Sequence, residues 1–129
     1  MKQVLLDTHA WVWSFAATSE LSAAAHEAIA AADGVFVSPI SFFEVGQKVR
    51  IGKWPEMETM VNNLPDVLAK QGGLAAALTP EICLHASLRD WVHRDPFDRF
   101  LASSAELLNM TLISKDAVFD ELKVLQRDW

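Results

Sequence analysis

The sequence is poor in cysteine and in long apolar runs. Its single thiol, Cys83, excludes an internal disulfide framework and a cysteine-based zinc module, and it suits a reducing cytosol. No run of apolar residues approaches the length that a membrane-spanning helix needs. The apolar run near the start, Val4-Leu5-Leu6, is interrupted at once by Asp7, which is not the pattern of a signal peptide. We therefore expect a cytoplasmic protein with no membrane partner.

Positive charge is also scarce. Lys and Arg total 11 against 17 Asp and Glu, which gives a formal net charge of −6. A protein that coats nucleic acid through a general basic surface has the opposite sign, so any such contact must be local or mediated by a metal. The 129 residues are 51% hydrophobic and 22% charged, which predicts one ordered domain over residues 1–129 with a sizeable core.

Short apolar runs alternate with amphipathic stretches along the chain. The runs predict buried strands at 4–6, 35–37, 74–78 and 111–114. The amphipathic stretches and their capping residues predict helices at about 21–32, 41–51, 79–91 and 97–108, with two short helices within 55–71. This alternation is typical of an α/β domain with a mostly parallel sheet, in which ligands bind beyond the carboxyl ends of the strands.

Four acidic residues fall at the predicted carboxyl edge of that sheet. They are Asp7, Glu44, Asp98 and Asp116, separated by 37, 54 and 18 residues, so that only the fold could bring them together. Carboxylates held close together either have raised pKa values or bind a cation. Hard oxygen ligands without His or Cys favour Mg²⁺, or Mn²⁺, over zinc. Such a pocket suits metal-assisted hydrolysis of a phosphodiester.

Each acid also has a purely structural interpretation. An Asp after a strand or at a helix start is often an N-cap, which applies to Asp98 and Asp116. Glu44 has Lys48 four residues further on and could pair with it on an exposed helix face. Against this, Glu44 lies among apolar neighbours, where a lone acid is costly. Asp7 follows a buried strand and has no basic neighbour to balance it.

Several neighbours are candidates for a supporting role. Thr8 and Ser114 could hydrogen-bond a carboxylate or a metal-bound water, or simply cap helices. Asp95 could assist Asp98 or cap the turn before Pro96.

The basic candidates carry a similar ambiguity. Arg99 could touch phosphate or orient Asp98, although an ion pair with a nearby acid is the commoner outcome. Lys48, with Arg50, Lys53 and Trp54, could guide a nucleic-acid phosphate and a base, or form a solvated helix end. The histidines His9 and His93 could contact a substrate, although a hydrogen-bonded structural role is favoured for both. The segment with Trp11, Trp13 and Phe15 favours a core or a dimer interface over a nucleic-acid platform.

Four segments resemble those of the PIN-domain ribonucleases, in the order and over the length expected for the family. They are Leu5-Leu6-Asp7-Thr8-His9, Ser41-x-x-Glu44, His93-Arg94-Asp95-Pro96-Phe97-Asp98-Arg99 and Leu112-Ile113-Ser114-Lys115-Asp116. The H-x-D-P-F-D-R signature is similar to that of VapC toxins from bacterial toxin–antitoxin pairs. The resemblance covers essentially the whole chain.

The resemblance implies a three-layer α/β/α sandwich with a Mg²⁺ pocket at Asp7, Glu44, Asp98 and Asp116. It implies that metal-activated water cleaves RNA, so that the protein is an endoribonuclease and the toxin of a type II pair. A homodimer and a small antitoxin that covers the groove are further implications.

Three alternative functions stay open. A PIN-like metal-dependent nuclease could act outside a toxin–antitoxin system, on RNA or on DNA. The acids could instead only cap helices in a non-catalytic interaction module, in which case they would lie far apart. A phosphatase of the D-x-D type is disfavoured because Asp7-Thr8-His9 lacks the second Asp.

Overall fold

In the computed structural model, which describes residues 1–129, five parallel strands form one sheet. The strands are β1 (Gln3–Leu6), β2 (Gly34–Val37), β3 (Leu74–Ala75), β4 (Thr111–Ile113) and β5 (Arg127–Asp128). Their order across the sheet is β3-β2-β1-β4-β5, and every neighbouring pair is parallel. The apolar run predicted as a central strand is therefore central, with Leu5 opposite Phe36 on one side and Leu112 on the other.

Six α-helices cover the sheet. They are α1 (Thr8–Ala16), α2 (Ala23–Ala31), α3 (Pro39–Arg50), α4 (Leu64–Lys70), α5 (Pro80–Leu88) and α6 (Pro96–Leu107). Short 3₁₀ turns lie at Thr18–Glu20, Pro55–Met57, Val61–Asn63 and Ala117–Glu121. The hydroxyls of Ser22, Ser38 and Thr79 accept the first free N–H groups of α2, α3 and α5, as their positions in the sequence indicate. No helix combines the length and the apolarity that crossing a bilayer requires.

The core is divided by the sheet into two halves. Alternate side chains of β1 point to opposite faces, so Val4 and Leu6 pack with Trp11 while Leu5 packs with Leu101. The half around Trp11 is covered by α1–α4, and the half around Leu101 by α6 and the C-terminal segment. Helices on both faces of one parallel sheet make a three-layer α/β/α sandwich, which confirms the predicted fold class.

Two predicted boundaries are wrong. The third strand ends at Ala75 and does not extend to residue 78, because its partner β2 ends at Val37 and leaves it nothing further to pair with. The helix predicted to reach residue 91 ends at Leu88. There the chain turns to extended backbone at Arg89, and the guanidinium of Arg99 donates hydrogen bonds to the carbonyls of Ala86, Ser87 and Arg89.

Candidate metal-binding active site

The carboxyl ends of β1 and β4 open into a cavity of about 460 Å³. Acidic side chains dominate its wall, and two lysines, a threonine, a histidine, a tryptophan and a leucine complete it. The five acids are Asp7, Glu44, Asp95, Asp98 and Asp116. The fold thus brings together all four carboxylates that the strand-end pattern predicted to be close, from four separate segments of the chain.

Asp7 lies at the junction of β1 and α1. Its Oδ1 accepts a 2.7 Å hydrogen bond from the Ala10 N–H, and its own N–H donates to the carbonyl of Ile113 in β4 at 3.0 Å. Burial raises the pKa of this carboxyl above its ordinary value, although the Ser114 hydroxyl and the Ala10 N–H partly offset the effect. Asp7 is therefore the N-cap of α1, yet the cap does not compensate its charge.

Asp98 projects from the first turn of α6, whose N-cap is Asp95, so the capping interpretation is wrong for Asp98. Its Oδ2 lies 2.7 Å from Nε2 of His93. Burial raises the pKa of Asp98 to about 6, and the negative charges of Asp95 and Asp116 push it in the same direction against the hydrogen bond from His93. One ligand atom from each of His93, Asp95 and Asp98 lies within 4.8 Å of the others. Two carboxylates and an imidazole nitrogen therefore converge at the α6 side of the cavity.

Asp95 and Asp116 act as N-caps. Asp95 Oδ1 accepts from the Phe97 N–H at 2.9 Å at the start of α6, and Asp116 Oδ1 accepts from the Val118 N–H at 3.0 Å. In both residues the second carboxylate oxygen has no hydrogen bond within the protein. Each group can therefore cap a helix with one oxygen and offer the other to the cavity.

Glu44 is the most enclosed of the acids, with 7% of its surface exposed. Thr8 Oγ1 donates to its Oε1 at 2.6 Å, and Lys48 Nζ donates to its Oε2 at 2.8 Å. Thr8 also shares a 2.8 Å hydrogen bond with Ser41 Oγ. The predicted pair between Glu44 and Lys48 is present, and it lies inside the cavity instead of on an exposed face. Glu44 is thus the one acid whose charge a cation of the protein already balances.

Ser114 and Arg99 support the cavity from outside it. The buried Ser114 Oγ accepts from the Asp116 N–H at 3.1 Å and so fixes the turn after β4. Arg99 forms no ion pair with an acid, contrary to the commoner outcome expected from the sequence. Its guanidinium donates to five backbone carbonyls, those of Ala86, Ser87, Arg89, Trp91 and His93.

These contacts of Arg99 organise the loop that carries His93, whose imidazole faces Asp98. The side chain therefore acts on the candidate site through the backbone and does not face the cavity. No local sequence pattern reports such contacts, because all five carbonyls lie 6 to 13 residues away along the chain.

One functional candidate was missed by sequence reasoning. Lys115 lines the cavity, although only its place beside Asp116 could have drawn attention to it. His93, considered as a substrate contact or as a hydrogen-bonded structural residue, bonds through its Nε2 to Asp98, one of the candidate metal ligands. Arg50 and Lys53, considered with Lys48 as a basic stretch, are not among the cavity residues.

The donor set fits a hard divalent cation. Asp7, Asp98 and Asp116 contribute carboxylate oxygens to one cavity, and burial has raised the pKa values of two of them. Bringing ionised carboxylates together with too few positive groups is unfavourable, and a bound cation removes that cost. Oxygen ligands of this kind suit Mg²⁺ or Mn²⁺.

Comparison with known proteins gives two findings. The family described as PIN domain matches residues 4–125. The fold is similar to a chain in the crystal structure of VapBC2 from Rickettsia felis bound to a DNA fragment from their promoter, with a TM-score of 0.67 and 17% sequence identity. That similarity covers 97% of this chain and 96% of the other. A comparison with curated protein sequences finds no significant match.

Proposed function

The chain belongs to the PIN-domain family, and from that premise we propose that it is a Mg²⁺-dependent endoribonuclease acting as the toxin of a type II toxin–antitoxin pair. The observation that carries the proposal is the convergence of Asp7, Glu44, Asp98 and Asp116 on one cavity, with the pKa values of Asp7 and Asp98 raised. PIN domains are generally metal-dependent nucleases, and the VapC-like signature supports RNA as the substrate and a toxin as the role.

In this proposal Asp7, Asp98 and Asp116 hold the cation, and Glu44 completes the acidic set from α3. When bound, Mg²⁺ or Mn²⁺ supplies a Lewis acid that activates water and neutralises charge on the phosphoryl oxygens. The chain's own groups orient the carboxylates. The Ala10 N–H fixes Asp7, His93 fixes Oδ2 of Asp98, and Thr8 fixes Oε1 of Glu44.

The decisive experiment compares cleavage of single-stranded RNA by the wild type and by Asp7→Asn, with EDTA, Mg²⁺ or Mn²⁺. The matched control is Asp120→Asn, because Asp120 is an exposed acid that pairs with Arg127 outside the cavity. We expect cleavage only with a divalent cation, its loss in Asp7→Asn and its retention in Asp120→Asn. Equal cleavage by both variants, or none with any metal, would refute the proposal.

The substrate class is settled by the same assay with DNA beside RNA. A cavity built from carboxylates recognises the phosphodiester and does not by itself distinguish the two sugars. We expect RNA to be cut preferentially. Faster cleavage of DNA would favour the alternative of a PIN-like nuclease outside toxin–antitoxin systems.

We further propose a cognate antitoxin and a homodimer as partners. The VapC-like signature and the fold similarity to the VapBC2 chain support the first. The apolar side chains of Leu84 and Leu88 on α5 and of Val92 in the loop that follows are 63%, 79% and 90% exposed, which supports a covered face. Co-expression with the product of a neighbouring small open reading frame should inhibit cleavage, and sedimentation should give the mass of a dimer.

A further inference from the structure

One side of the acidic cavity is edged by four aromatic rings. We call these residues, His9, Trp13, Trp54 and Trp129, the aromatic rim. His9 stacks on Trp54 with centroids 4.9 Å apart and planes inclined by 26°, and it lies 5.6 Å from Trp13. Trp13 in turn lies 5.9 Å from Trp129. The fold thus assembles, from three distant parts of the chain, a continuous aromatic surface that shares His9 and Trp13 with the cavity wall.

The rim differs from the aromatic core beneath it. Trp11, two residues before Trp13, is fully buried, whereas Trp13, Trp54 and Trp129 are only partly buried and His9 is exposed. The three indoles rest on the α1–α4 half of the core and leave part of their surface at the cavity edge. Packing against the core explains why one face of each indole is buried. It does not explain why an aromatic surface remains exposed beside the cavity.

Two lysines connect the rim to the acids. Lys48 Nζ lies 5.5 Å from the ring centroid of Trp54, and Lys115 Nζ lies 6.0 Å from that of Trp13. Both side chains line the cavity. Cation–π contact thus holds both ammonium groups beside the aromatic surface. Lys48 is already paired with Glu44, whereas Lys115 has no ion pair with a carboxylate. Lys115 therefore places positive charge where a phosphate would pass from the cavity to the rim.

We propose that the aromatic rim is a nucleobase-binding subsite, on which an unpaired base next to the scissile phosphate stacks while Lys115 faces a flanking phosphate. The inference rests on the proposed nuclease function and adds a single-stranded substrate to it. A base within a duplex already stacks on its neighbours, so only an unpaired base presents a free face to the rings.

The overall negative charge favours a subsite of this kind. A chain of net charge −6 does not attract a polyanion over long range, so affinity must come from short-range contacts. Base–aromatic stacking supplies such contacts and is tolerant of base identity. A single unpaired lysine releases few counterions, so the dependence of affinity on salt should be shallow, with a log–log slope of about −1.

The test measures binding of a fluorescein-labelled single-stranded RNA, and of the same RNA annealed to its complement, with Ca²⁺ in place of Mg²⁺ and intact RNA verified on a gel. We expect Trp54→Ala to raise the Kd of the single strand by about 5- to 50-fold, and Trp54→Phe by less than about threefold. The duplex should bind weakly to every variant.

The matched control is Phe43→Ala, which removes an aromatic side chain that is 61% exposed on α3 but does not line the cavity. Its Kd should equal that of the wild type. His9→Ala is a second rim variant, and because His9 is exposed it should fold even if Trp54→Ala does not. An unchanged Kd in the rim variants that fold, an equal loss in Phe43→Ala, or equally tight binding of the duplex would overturn the subsite.

The binding measurement separates this inference from the nuclease proposal. Rim-dependent binding by a protein that cleaves no RNA with any metal would uphold the subsite and overturn the nuclease. Metal-dependent cleavage by a protein whose RNA affinity does not depend on the rim would uphold the nuclease and overturn the subsite. If both hold, Trp54→Ala should raise KM for RNA cleavage and leave kcat nearly unchanged, because the stacked base lies outside the reacting atoms.

Discussion

The protein has two polar clusters of similar composition and opposite character. The first is the acidic cavity. The second, between α5 and α6, joins His85, Arg89, Ser103 and Glu106 and is called here the α5–α6 network. Arg89 donates to Glu106 at 2.9 Å and to Ser103 at 3.2 Å, and His85 Nδ1 lies 2.8 Å from Ser103 Oγ. Both clusters thus combine a carboxylate, a histidine and a hydroxyl-bearing residue.

The balance of charge separates them. In the α5–α6 network the single acid, Glu106, faces Arg89 and His85, and among the buried side-chain atoms of the network only Arg89 Nε lacks a partner. In the cavity five acids face two lysines, and burial raises the pKa values of Asp7 and Asp98. A polar cluster that satisfies itself holds helices together, whereas one with unbalanced charge is suited to bind something the chain does not supply.

The largest expected effect is the loss of RNA cleavage when one carboxylate charge is removed from the cavity. Asp98→Asn should lower RNA cleavage by more than about 100-fold, because a carboxylate that orients or holds the cation is lost while its shape is kept. Cleavage of a labelled RNA under single-turnover conditions measures it. The control is Glu106→Gln on the same helix, whose activity per folded molecule should match the wild type. If Asp98→Asn lost only a little cleavage activity, the unbalanced charge of the cavity would not distinguish it functionally from the α5–α6 network.

The next largest effect is a loss of stability when the α5–α6 network is disrupted. Arg89→Leu should lower the free energy of unfolding by about 2–3 kcal/mol, since Glu106 and Ser103 lose a largely buried charged donor. Urea unfolding followed by circular dichroism measures this change. Cleavage per folded molecule should be unaffected. If the variant were as stable as the wild type but inactive, the network would belong to the functional site after all.

A smaller effect concerns pH. The pKa of Asp98 is raised to about 6 in the folded protein, so the folded state binds its proton more tightly than the unfolded state does. In EDTA the contribution of this group to stability is therefore full at acidic pH and is lost as pH rises through 6. The loss should be about 1–2 kcal/mol after allowance for partial solvent screening.

Urea unfolding at several pH values between 4.5 and 7.5 checks this dependence. The slope should flatten in Asp98→Asn, and saturating Mg²⁺ should restore the stability of the wild type at neutral pH. Asp120→Asn should retain the slope of the wild type. A metal-free protein whose stability rises over this interval in a manner dependent on Asp98 would contradict the raised pKa.

The smallest effect tests how Glu44 is held. Thr8→Val should cost about 1 kcal/mol of stability, because the buried Oε1 of Glu44 loses its hydroxyl donor. Thr8→Ser keeps the hydroxyl and should cost less. Thermal unfolding of the two variants in parallel measures the difference. Equal stabilities would show that the hydroxyl contributes little.

Much of the fold could be predicted because it follows from local pattern. The apolar run of β1, the caps of α2 and α5 and the acids after the strands are all visible in the sequence, and a parallel sheet then brings the acids to one edge. The pair of Glu44 with Lys48 follows from helical spacing. A local pattern does not show which strand each strand pairs with. The end of β3 depends on where its neighbour β2 ends, so it was predicted wrongly.

The rest of the site depends on long-range contacts. Arg99 binds carbonyls of a loop that is not adjacent in sequence, and its role follows only from where α5 ends. Trp13 and Trp129 come from opposite ends of the chain, so no spacing could indicate that their rings lie 5.9 Å apart. Similarly, nothing local distinguishes the α5–α6 network from the cavity, because the difference lies in how many charges each one gathers.

The central position of β1 has a consequence during synthesis. β1 pairs on one side with β4, which lies about a hundred residues further along the chain, and the Asp7 N–H donates to the carbonyl of Ile113. Since chains emerge from the ribosome N-terminus first, Asp7 and Asp116 can meet only after β4 and the turn that follows it have emerged. A nascent chain without β4 therefore lacks the cavity, and an enzyme that cuts RNA would gain its acidic site only after that strand has been made.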